Sequence, residues 1–469
     1  MFENMKRIKQ IIFITYIILF HSICLAQTPH ISGTIQLSIS KGIIECDLKV
    51  ANIPNINGYS IMLNSGFNVQ YFRDSSDSHN YYYEKYYNEQ SYEAFQYYFP
   101  NNDNTARFLP NSFYIKYVGA FPVINDTLKM GSGEDWKGNI AFNGKYMRAS
   151  EQSAWYPILY DTLNDVSYEK VTYDLNIICD KDESIYLNGS NPVKSMNAHF
   201  KSDTPLDLMF FAGQYDYSHK NKTWFINTFL NEEEQNVLCR WSDKITEYYE
   251  AKLKIPYGSP VTFLGATPVS KYQNWMFVTY PTIVVIGREP YNIKGYFNPN
   301  TNQIKDSSSI EFFSHEFGHY YFGTYFNPNA ELKWIFLEGI TEYMSLQIIR
   351  DLLGEERYEK NIQNYIEQIK DVEITPLNEI KNGEDIDNNY KYNYIPLLIS
   401  ALENQIGQKN VWKWLNYVLE SKNVKTNYHF FKKSLLESGV TEKEFNDFEN
   451  YYIKADNAKK NVIESFNKL

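Results

Sequence analysis

The stretch from Ser308 to Arg350 decides the fold, and at its centre stands the run His315-Glu316-Phe317-Gly318-His319. Residues four apart lie on one face of a helix, so His315 and His319 can present two imidazole nitrogens to one metal ion. Glu316 lies one step around the helix, where its carboxylate can reach a water at the metal rather than the metal itself. This is the HExxH pattern, and it predicts a zinc site.

Two helices are predicted in this stretch. Ser308 is the expected N-cap of the first helix, with Glu311 as the returning carboxylate of a capping box. Asn327-Pro328-Asn329 then offers a break and a cap, so that residues 331–350 are expected to form a second helix. Packed antiparallel to the first helix, the second would bring its own side chains to the two histidines.

A catalytic zinc site usually has three protein ligands and a water, so a third ligand is needed. Glu338 is the candidate, and eighteen residues separate it from His319. Glu342 lies one turn further along the second helix. It is expected to accept a hydrogen bond from the other nitrogen of a ligand histidine.

The HExxH run, the eighteen-residue spacing and the setting Trp334-Ile335-Phe336-Leu337-Glu338-Gly339 resemble the gluzincin metallopeptidases, specifically the aminopeptidase N-like family. The resemblance implies one Zn²⁺ per chain, bound by His315, His319 and Glu338. It also implies that Glu316 is the general base, which activates a zinc-bound water for attack on a peptide bond.

The same family uses a tyrosine, placed before a helix, to stabilise the tetrahedral intermediate. Here Tyr392-Asn393-Tyr394-Ile395 leads into an apolar segment that ends at Gly407. Counting back from Gly407 selects Tyr392 for this role. Tyr390 and Tyr394 remain alternatives.

A departure from the family concerns the substrate's amino terminus. The family's Gly-x-Met-Glu-Asn loop binds that terminus through its glutamate, and residues 271–275 stand at the matching place. Asn274 matches, but Gln273 replaces the glutamate. An amide accepts a hydrogen bond from an ammonium group but supplies no countercharge, and charge-assisted bonds are about twice as strong. Gln273 and Asn274 are therefore expected to bind substrate, with exopeptidase and endopeptidase action both open.

Residues 1–26 are predicted to be a signal peptide. Lys6, Arg7 and Lys9 precede the apolar run Ile11–Phe20, and small residues precede Gln27. The protein is therefore expected to be exported to the periplasm or the extracellular space, with no stable membrane span after cleavage. Removing this segment takes the formal net charge from −11 to −13. Such an acidic chain is a poor partner for nucleic acid, and it suits a peptide or protein substrate.

The fold class expected is α+β. Residues 27–205 are predicted to form a β-sandwich-like domain, because strands such as residues 44–50 alternate apolar and polar side chains. Residues 206–469 are predicted to form a thermolysin-like zinc peptidase domain, with a mixed sheet followed by helices. Tyrosines are dense within residues 81–99. Two explanations are open: these side chains are exposed groups that bind a ligand, or they reflect the high tyrosine content of the whole chain.

Three cysteines remain after signal cleavage, so at most one disulfide can form within the chain. Cys46 and Cys179 lie in strand-like segments and are the expected pair, which leaves Cys239 as a free thiol.

These observations favour an exported zinc metallopeptidase, most simply of aminopeptidase type. Two alternatives stay open. One is a zinc endopeptidase with altered recognition of the amino terminus. The other is a non-catalytic peptide- or glycan-binding protein on a peptidase scaffold.

Overall fold

A computed structural model of the chain describes residues 28–74, 77–85, 93–100, 109–124, 137–164, 166–258, 261–265, 276–285, 292–421 and 424–466. The chain divides into two compact units, the first ending at Tyr215 and the second beginning at Asp216. The predicted signal peptide lies outside the described residues, as do Gln273 and Asn274.

The first unit consists of strands, apart from a short 3-10 turn at Glu151–Ser153. The strands are β1 His30–Ser38, β2 Ile43–Ala51, β3 Tyr59–Asn64, β4 Phe67–Arg73, β5 Tyr82–Lys85, β6 Ala94–Tyr98, β7 Phe113–Ala120, β8 Ala141–Phe142, β9 Tyr146–Ala149, β10 Ile158–Asp161, β11 Val166–Tyr168, β12 Val171–Leu187, β13 Val193–Leu206 and β14 Phe210–Gly213.

Two sheets in this unit share one core. The larger has the order β4-β7-β2-β1-β12-β14-β9-β8, with β13 paired to β12, and the smaller has the order β11-β10-β3-β6-β5. In β2 the apolar side chains at alternate positions are buried, as the predicted strand at residues 44–50 requires. Ile35 and Leu48 of the larger sheet belong to the same buried cluster as Ile61 and Leu63 of the smaller sheet. Two sheets facing one core form a sandwich.

The predicted boundary between residues 205 and 206 is not where the first unit ends. It falls inside β13, which runs to Leu206, and β14 then pairs with β12 and β9 of the same sheet. The predicted boundary lies beside Pro205. Proline is tolerated on an edge strand, however, and among the described strands β13 pairs with β12 alone.

The predicted disulfide between Cys46 and Cys179 is wrong. Both thiols are free and buried, as is that of Cys239. Cys46 pairs with Ile35 across β1 and β2, whereas Cys179 pairs with Leu37 across β1 and β12. Strand β1 therefore lies between the two cysteines. Two interstrand spacings amount to about 9–10 Å, beyond the roughly 7 Å that a disulfide can bridge.

The tyrosine-dense stretch is divided between surface and interior. Tyr82 and Tyr83 on β5 are about half exposed, whereas Tyr97 and Tyr98 on β6 are buried. Tyr82 stacks on Tyr98 with ring centroids 5.0 Å apart. Tyr86 and Tyr87 lie outside the described residues.

The second unit has a mixed sheet followed by helices. Its sheet has the order β15-β16-β17-β19-β18, in which β16, β17 and β19 are parallel and the two outer strands are antiparallel to their neighbours. The strands are β15 Tyr217–Lys220, β16 Thr223–Ile226, β17 Thr262–Gly265, β18 Met276–Thr279 and β19 Thr282–Val285.

Three of the helices described in the second unit adjoin π-helical turns. The α-helices are α1 Glu232–Leu253, α2 Ser307–Gly318, α3 Ile340–Ile348, α4 Glu355–Ile369, α5 Ile395–Ile406, α6 Gln408–Glu420, α7 Tyr428–Glu437, α8 Glu442–Phe448 and α9 Ala458–Glu464. The π-helical turns are Ile335–Gly339 and Ile349–Leu353 on either side of α3, Tyr390–Tyr394 before α5, and Glu449–Ile453 after α8. The 3-10 turns are Ile293–Tyr296, Leu377–Glu379 and Gly383–Asp385.

Side-chain caps set the starts of several helices. Asn231 and Glu234 form a capping box at the start of α1. The helix dipole also favours the three glutamates in the first turn of this helix. Thr441 and Glu444 form a second capping box at the start of α8. Within the described residues, no helix has both the length and the apolar character needed to cross a bilayer.

Candidate metal centre

Helix α2 carries the two histidines, and it begins earlier than predicted. Its N-cap is Asp306, whose carboxylate accepts the Ser309 backbone N–H at 2.8 Å. The predicted cap at Ser308 is wrong because the Asp306 carboxylate takes that role and also accepts the Ser308 hydroxyl. Glu311 is therefore not part of a capping box.

The third ligand candidate lies in a π-helical turn. Glu338 sits within Ile335–Gly339, which runs directly into α3. The helix predicted for residues 331–350 is therefore present from residue 333 onwards, but Ile335–Gly339 and Ile349–Leu353 are wound as π-helical turns. Such turns are rare and often occur at functional sites, because they re-aim a side chain that a regular helix would point elsewhere.

Two glycines let the helices of the site approach closely. A Cβ atom on Gly318 would lie 2.7 Å from the Thr341 side chain of α3. A Cβ atom on Gly339 would lie 2.4 Å from the Ile395 side chain of α5. Both distances are too short for a real contact. Glycine at these positions therefore brings α2, α3 and α5 together around one point.

The three ligand candidates converge there. One ligand atom from each of His315, His319 and Glu338 lies within 4.8 Å of the other two. Glu338 Oε2 is 3.2 Å from His315 Nε2 and 3.5 Å from His319 Nε2. The side chains are 7%, 15% and 13% exposed respectively, so the cluster is largely shielded from solvent.

The other nitrogen of each imidazole has an acceptor. Glu342 Oε2 lies 2.7 Å from His315 Nδ1, and the Phe322 carbonyl lies 3.2 Å from His319 Nδ1. Carboxylates and carbonyls only accept, so each Nδ1 carries a hydrogen. Each Nε2 can then offer its lone pair to a metal ion.

Neighbouring charges of opposite sign shift the pKa values of His315 and Glu338. Burial would lower the pKa of His315, but the Glu338 and Glu342 carboxylates overcome burial and hold that pKa well above its ordinary value. Burial would raise the pKa of Glu338, but His319 and His315 hold it well below its ordinary range. Glu338 is therefore an ionised carboxylate, as a metal ligand has to be.

Two further residues predicted for the site lie near the cluster. Glu316 follows His315 on α2 and is 5% exposed. The Tyr392 phenol donates to Glu338 Oε2 at 3.1 Å from the π-helical turn before α5. Burial and the Glu338 carboxylate, with Glu316 adding to them, raise the pKa of Tyr392, so its hydroxyl stays protonated and able to donate.

The neighbouring tyrosines are turned elsewhere. Tyr390 donates to the Thr375 carbonyl at 2.9 Å, and Tyr394 is 2% exposed in the interior. Of the three tyrosines left open by the sequence, Tyr392 is the one that the structure brings to Glu338.

Three polar residues lie behind the histidine in a role that was not predicted from the sequence. Glu311 on α2 accepts the Asn361 side-chain amide at 2.8 Å and contacts the Tyr365 phenol at 2.7 Å. Tyr365 also contacts Glu342 at 2.6 Å. The spacing of Glu311 from His315 places both on one helix face, a signal that could have been used. No pattern in the sequence pointed to Asn361 and Tyr365 on α4.

The donor set fits zinc. Two imidazole nitrogens and one carboxylate oxygen are the ligands of many catalytic zinc sites, which keep a position open for water or substrate. Both imidazoles are oriented by hydrogen bonds at Nδ1, as zinc-binding histidines usually are. His315, His319 and Glu338 are thus the residues that would hold the ion.

The mixed sheet followed by helices fits an M1 aminopeptidase-like fold, and the site offers three donors to a metal ion. Neither a protein-family model nor a curated protein sequence matches this chain. Solved structures do match its fold, and they include M1 zinc metallopeptidases and leukotriene A4 hydrolases, enzymes of the gluzincin family.

One match is a mutant M1 zinc metallopeptidase from Deinococcus radiodurans bound to a Tyr-Ser-Ala substrate, at 11% identity and a TM-score of 0.61, covering 90% of this chain and 92% of that one. Another is the yeast leukotriene A4 hydrolase in complex with bestatin, at 13% identity and a TM-score of 0.58. The alignment covers 89% of this chain but 65% of the yeast enzyme. At these identities the likeness shows a shared fold.

Proposed function

We propose that this protein is an exported zinc metallopeptidase that hydrolyses peptide bonds, most simply as an aminopeptidase. The observation that carries the proposal is the convergence of His315, His319 and Glu338, with Glu316 and Tyr392 beside them. The M1 metallopeptidase fold supports a hydrolase. Export rests on the signal-like segment at residues 1–26.

Zinc, when bound, supplies a Lewis acid that acidifies water and polarises the scissile carbonyl. Glu316 takes a proton from the attacking water and delivers it to the leaving nitrogen. The Tyr392 hydroxyl donates a hydrogen bond to the carbonyl oxygen as negative charge develops there. Glu342 and the Phe322 carbonyl orient the two imidazoles by accepting from each Nδ1, so that each Nε2, once it has released any proton, is the nitrogen left to bind the ion.

A second candidate is endopeptidase action at the same site. Gln273 stands where the family's amino-terminus-binding glutamate is found, and an amide gives no countercharge to a free amine. An enzyme without that charge would discriminate less between a chain end and the middle of a peptide.

A mixed peptide library with mass-spectrometric readout tests both candidates. Cleavage that stops with a chelator and returns with zinc supports a zinc peptidase. Loss of single amino-terminal residues indicates aminopeptidase action, whereas internal cuts in amino-blocked peptides indicate endopeptidase action. Zinc binding without cleavage of any peptide would contradict the proposal and favour a peptide- or glycan-binding protein.

A further inference from the structure

A line of polar side chains runs from the His315 imidazole away from the proposed zinc position. His315 Nδ1 lies 2.7 Å from Glu342 Oε2, and Glu342 Oε1 lies 2.6 Å from the Tyr365 phenol oxygen. The same phenol oxygen lies 2.7 Å from Glu311 Oε1. Asn361 closes the line by donating to Glu311 Oε2 at 2.8 Å.

The number of hydrogens in this line is constrained. The Tyr365 phenol has one hydrogen and can donate it to one carboxylate, yet its oxygen is within hydrogen-bonding distance of two. Two ionised carboxylates would leave one short contact between an acceptor and a phenol oxygen with no hydrogen between them. One carboxyl group must therefore be protonated.

Glu311 is the better place for this hydrogen. Glu342 already accepts the Nδ1–H of His315 and serves that donor best as an anion. With the hydrogen on Glu311 Oε1, Glu311 donates to Tyr365, Tyr365 donates to Glu342, and Asn361 donates to the remaining Glu311 oxygen. Each polar atom then has a partner of the right kind.

We propose that Glu311 and Tyr365 are positioning residues for the zinc site, and that Glu311 acts as a neutral hydrogen-bond donor in a chain that fixes Glu342 against His315. The inference rests on the proposed zinc site. It assigns to α4, which supplies none of the three zinc-ligand candidates, a part in orienting the first ligand histidine. Glu342 would otherwise be free to rotate away from Nδ1.

Zinc affinity of the purified protein, measured by competition with a chromogenic chelator, tests this without any substrate. Removing the partner of a ligand histidine usually weakens metal binding by about 10–100-fold, and Tyr365 acts one step further out. Tyr365→Phe is therefore expected to weaken zinc binding by about 10-fold. Glu311→Ala is expected to have a similar effect, because it leaves the Tyr365 oxygen without its donor.

The Glu311→Gln variant tests whether Glu311 acts as a neutral hydrogen-bond donor or as a charged group. The amide nitrogen of glutamine can donate to Tyr365 while its oxygen accepts from Asn361, so this variant should keep the zinc affinity within about threefold of wild type. Tyr428→Phe is the matched control. Tyr428 donates to Glu449 at 2.7 Å in another part of the second unit, so its loss costs a tyrosine–glutamate bond without touching the site.

Melting temperatures of the zinc-free proteins separate positioning from general stability. The result expected is weak zinc binding in Tyr365→Phe and Glu311→Ala, near-normal binding in Glu311→Gln, and normal binding in Tyr428→Phe at a comparable loss of stability. Wild-type affinity in Tyr365→Phe would overturn the inference and leave the peptidase proposal intact. Equal damage from Glu311→Gln and Glu311→Ala would overturn the neutral-donor assignment. A wild-type protein that binds no zinc would overturn both proposals.

Discussion

The two units treat a carboxyl group in their interior in opposite ways. In the first unit, burial raises the pKa of Asp207 to about 6, and its Oδ1 atom is buried without a hydrogen-bond partner among the described residues. In the second unit, Glu338 meets the same cost of burial, yet His319 and His315 hold its pKa well below the ordinary range. The opposite pKa shifts of Asp207 and Glu338 follow from the groups beside each carboxyl group rather than from its depth of burial. A carboxyl group kept charged against burial by two imidazoles indicates a functional site.

Replacing the proposed general base tests the chemistry of the second unit and should have the largest effect. Glu316→Gln removes the proton acceptor but none of the three ligand candidates. We expect kcat to fall by about 10²–10⁴-fold while zinc content is unchanged, as measured by peptide turnover and elemental analysis. Turnover at the parental rate would show that Glu316 is not the base.

Tyr392→Phe should have the next largest effect, because it removes one donor to the developing oxyanion. We expect kcat to fall by about 10²-fold with little change in KM. Tyr390→Phe is the control, since that phenol bonds a backbone carbonyl away from the ligands. If Tyr390→Phe lost as much activity as Tyr392→Phe, the assignment of Tyr392 rather than Tyr390 as the oxyanion donor would be contradicted.

Gly339→Ala tests the close packing that brings the site together. The added Cβ would lie 2.4 Å from Ile395, and overpacking of this kind costs about 1–3 kcal/mol of unfolding free energy. Gly58→Ala in the first unit is the control, because its Cβ would meet nothing closer than 3.7 Å. Urea unfolding measures both. An unchanged stability in Gly339→Ala would mean that α5 has room to move.

Asp207→Asn tests the carboxyl group of the first unit, whose pKa burial raises against the opposing effect of Lys170. The pKa of Asp207 is raised in the folded protein, so the stability that its protonation provides is present below pH about 4 and is lost as the pH rises to about 6. We expect wild type to lose about 1–3 kcal/mol relative to Asp207→Asn over that window, as measured by urea unfolding at several pH values. A difference between the two proteins that does not vary with pH would contradict this assignment.

A reducing agent should have the smallest effect. Burial raises the pKa of Cys46 and of Cys179 to about 12, and strand β1 separates the two residues. With no disulfide between them, dithiothreitol is expected to shift the melting temperature by less than about 1 °C. A drop of several degrees would indicate a disulfide in the folded protein.

Local rules predicted much of this molecule. The spacing of His315 and His319 follows from helix geometry, and the alternation of apolar and polar side chains in β2 follows from strand geometry. Both could therefore be predicted from the sequence. The cap of α2 was misplaced, because Asp306 takes the role predicted for Ser308, two residues further along the chain. Contacts between distant segments could not be predicted from the sequence. Tyr365 reaches Glu311 and Glu342 because α4 packs against the site, and no spacing in the sequence encodes that packing.

The zinc content of the purified protein is the most direct test of the central claim. The account predicts one zinc per chain by elemental analysis, and a loss of that zinc in both His315→Ala and Glu338→Ala. Wild-type protein without zinc after purification in its presence, or variants that keep the full content, would contradict it.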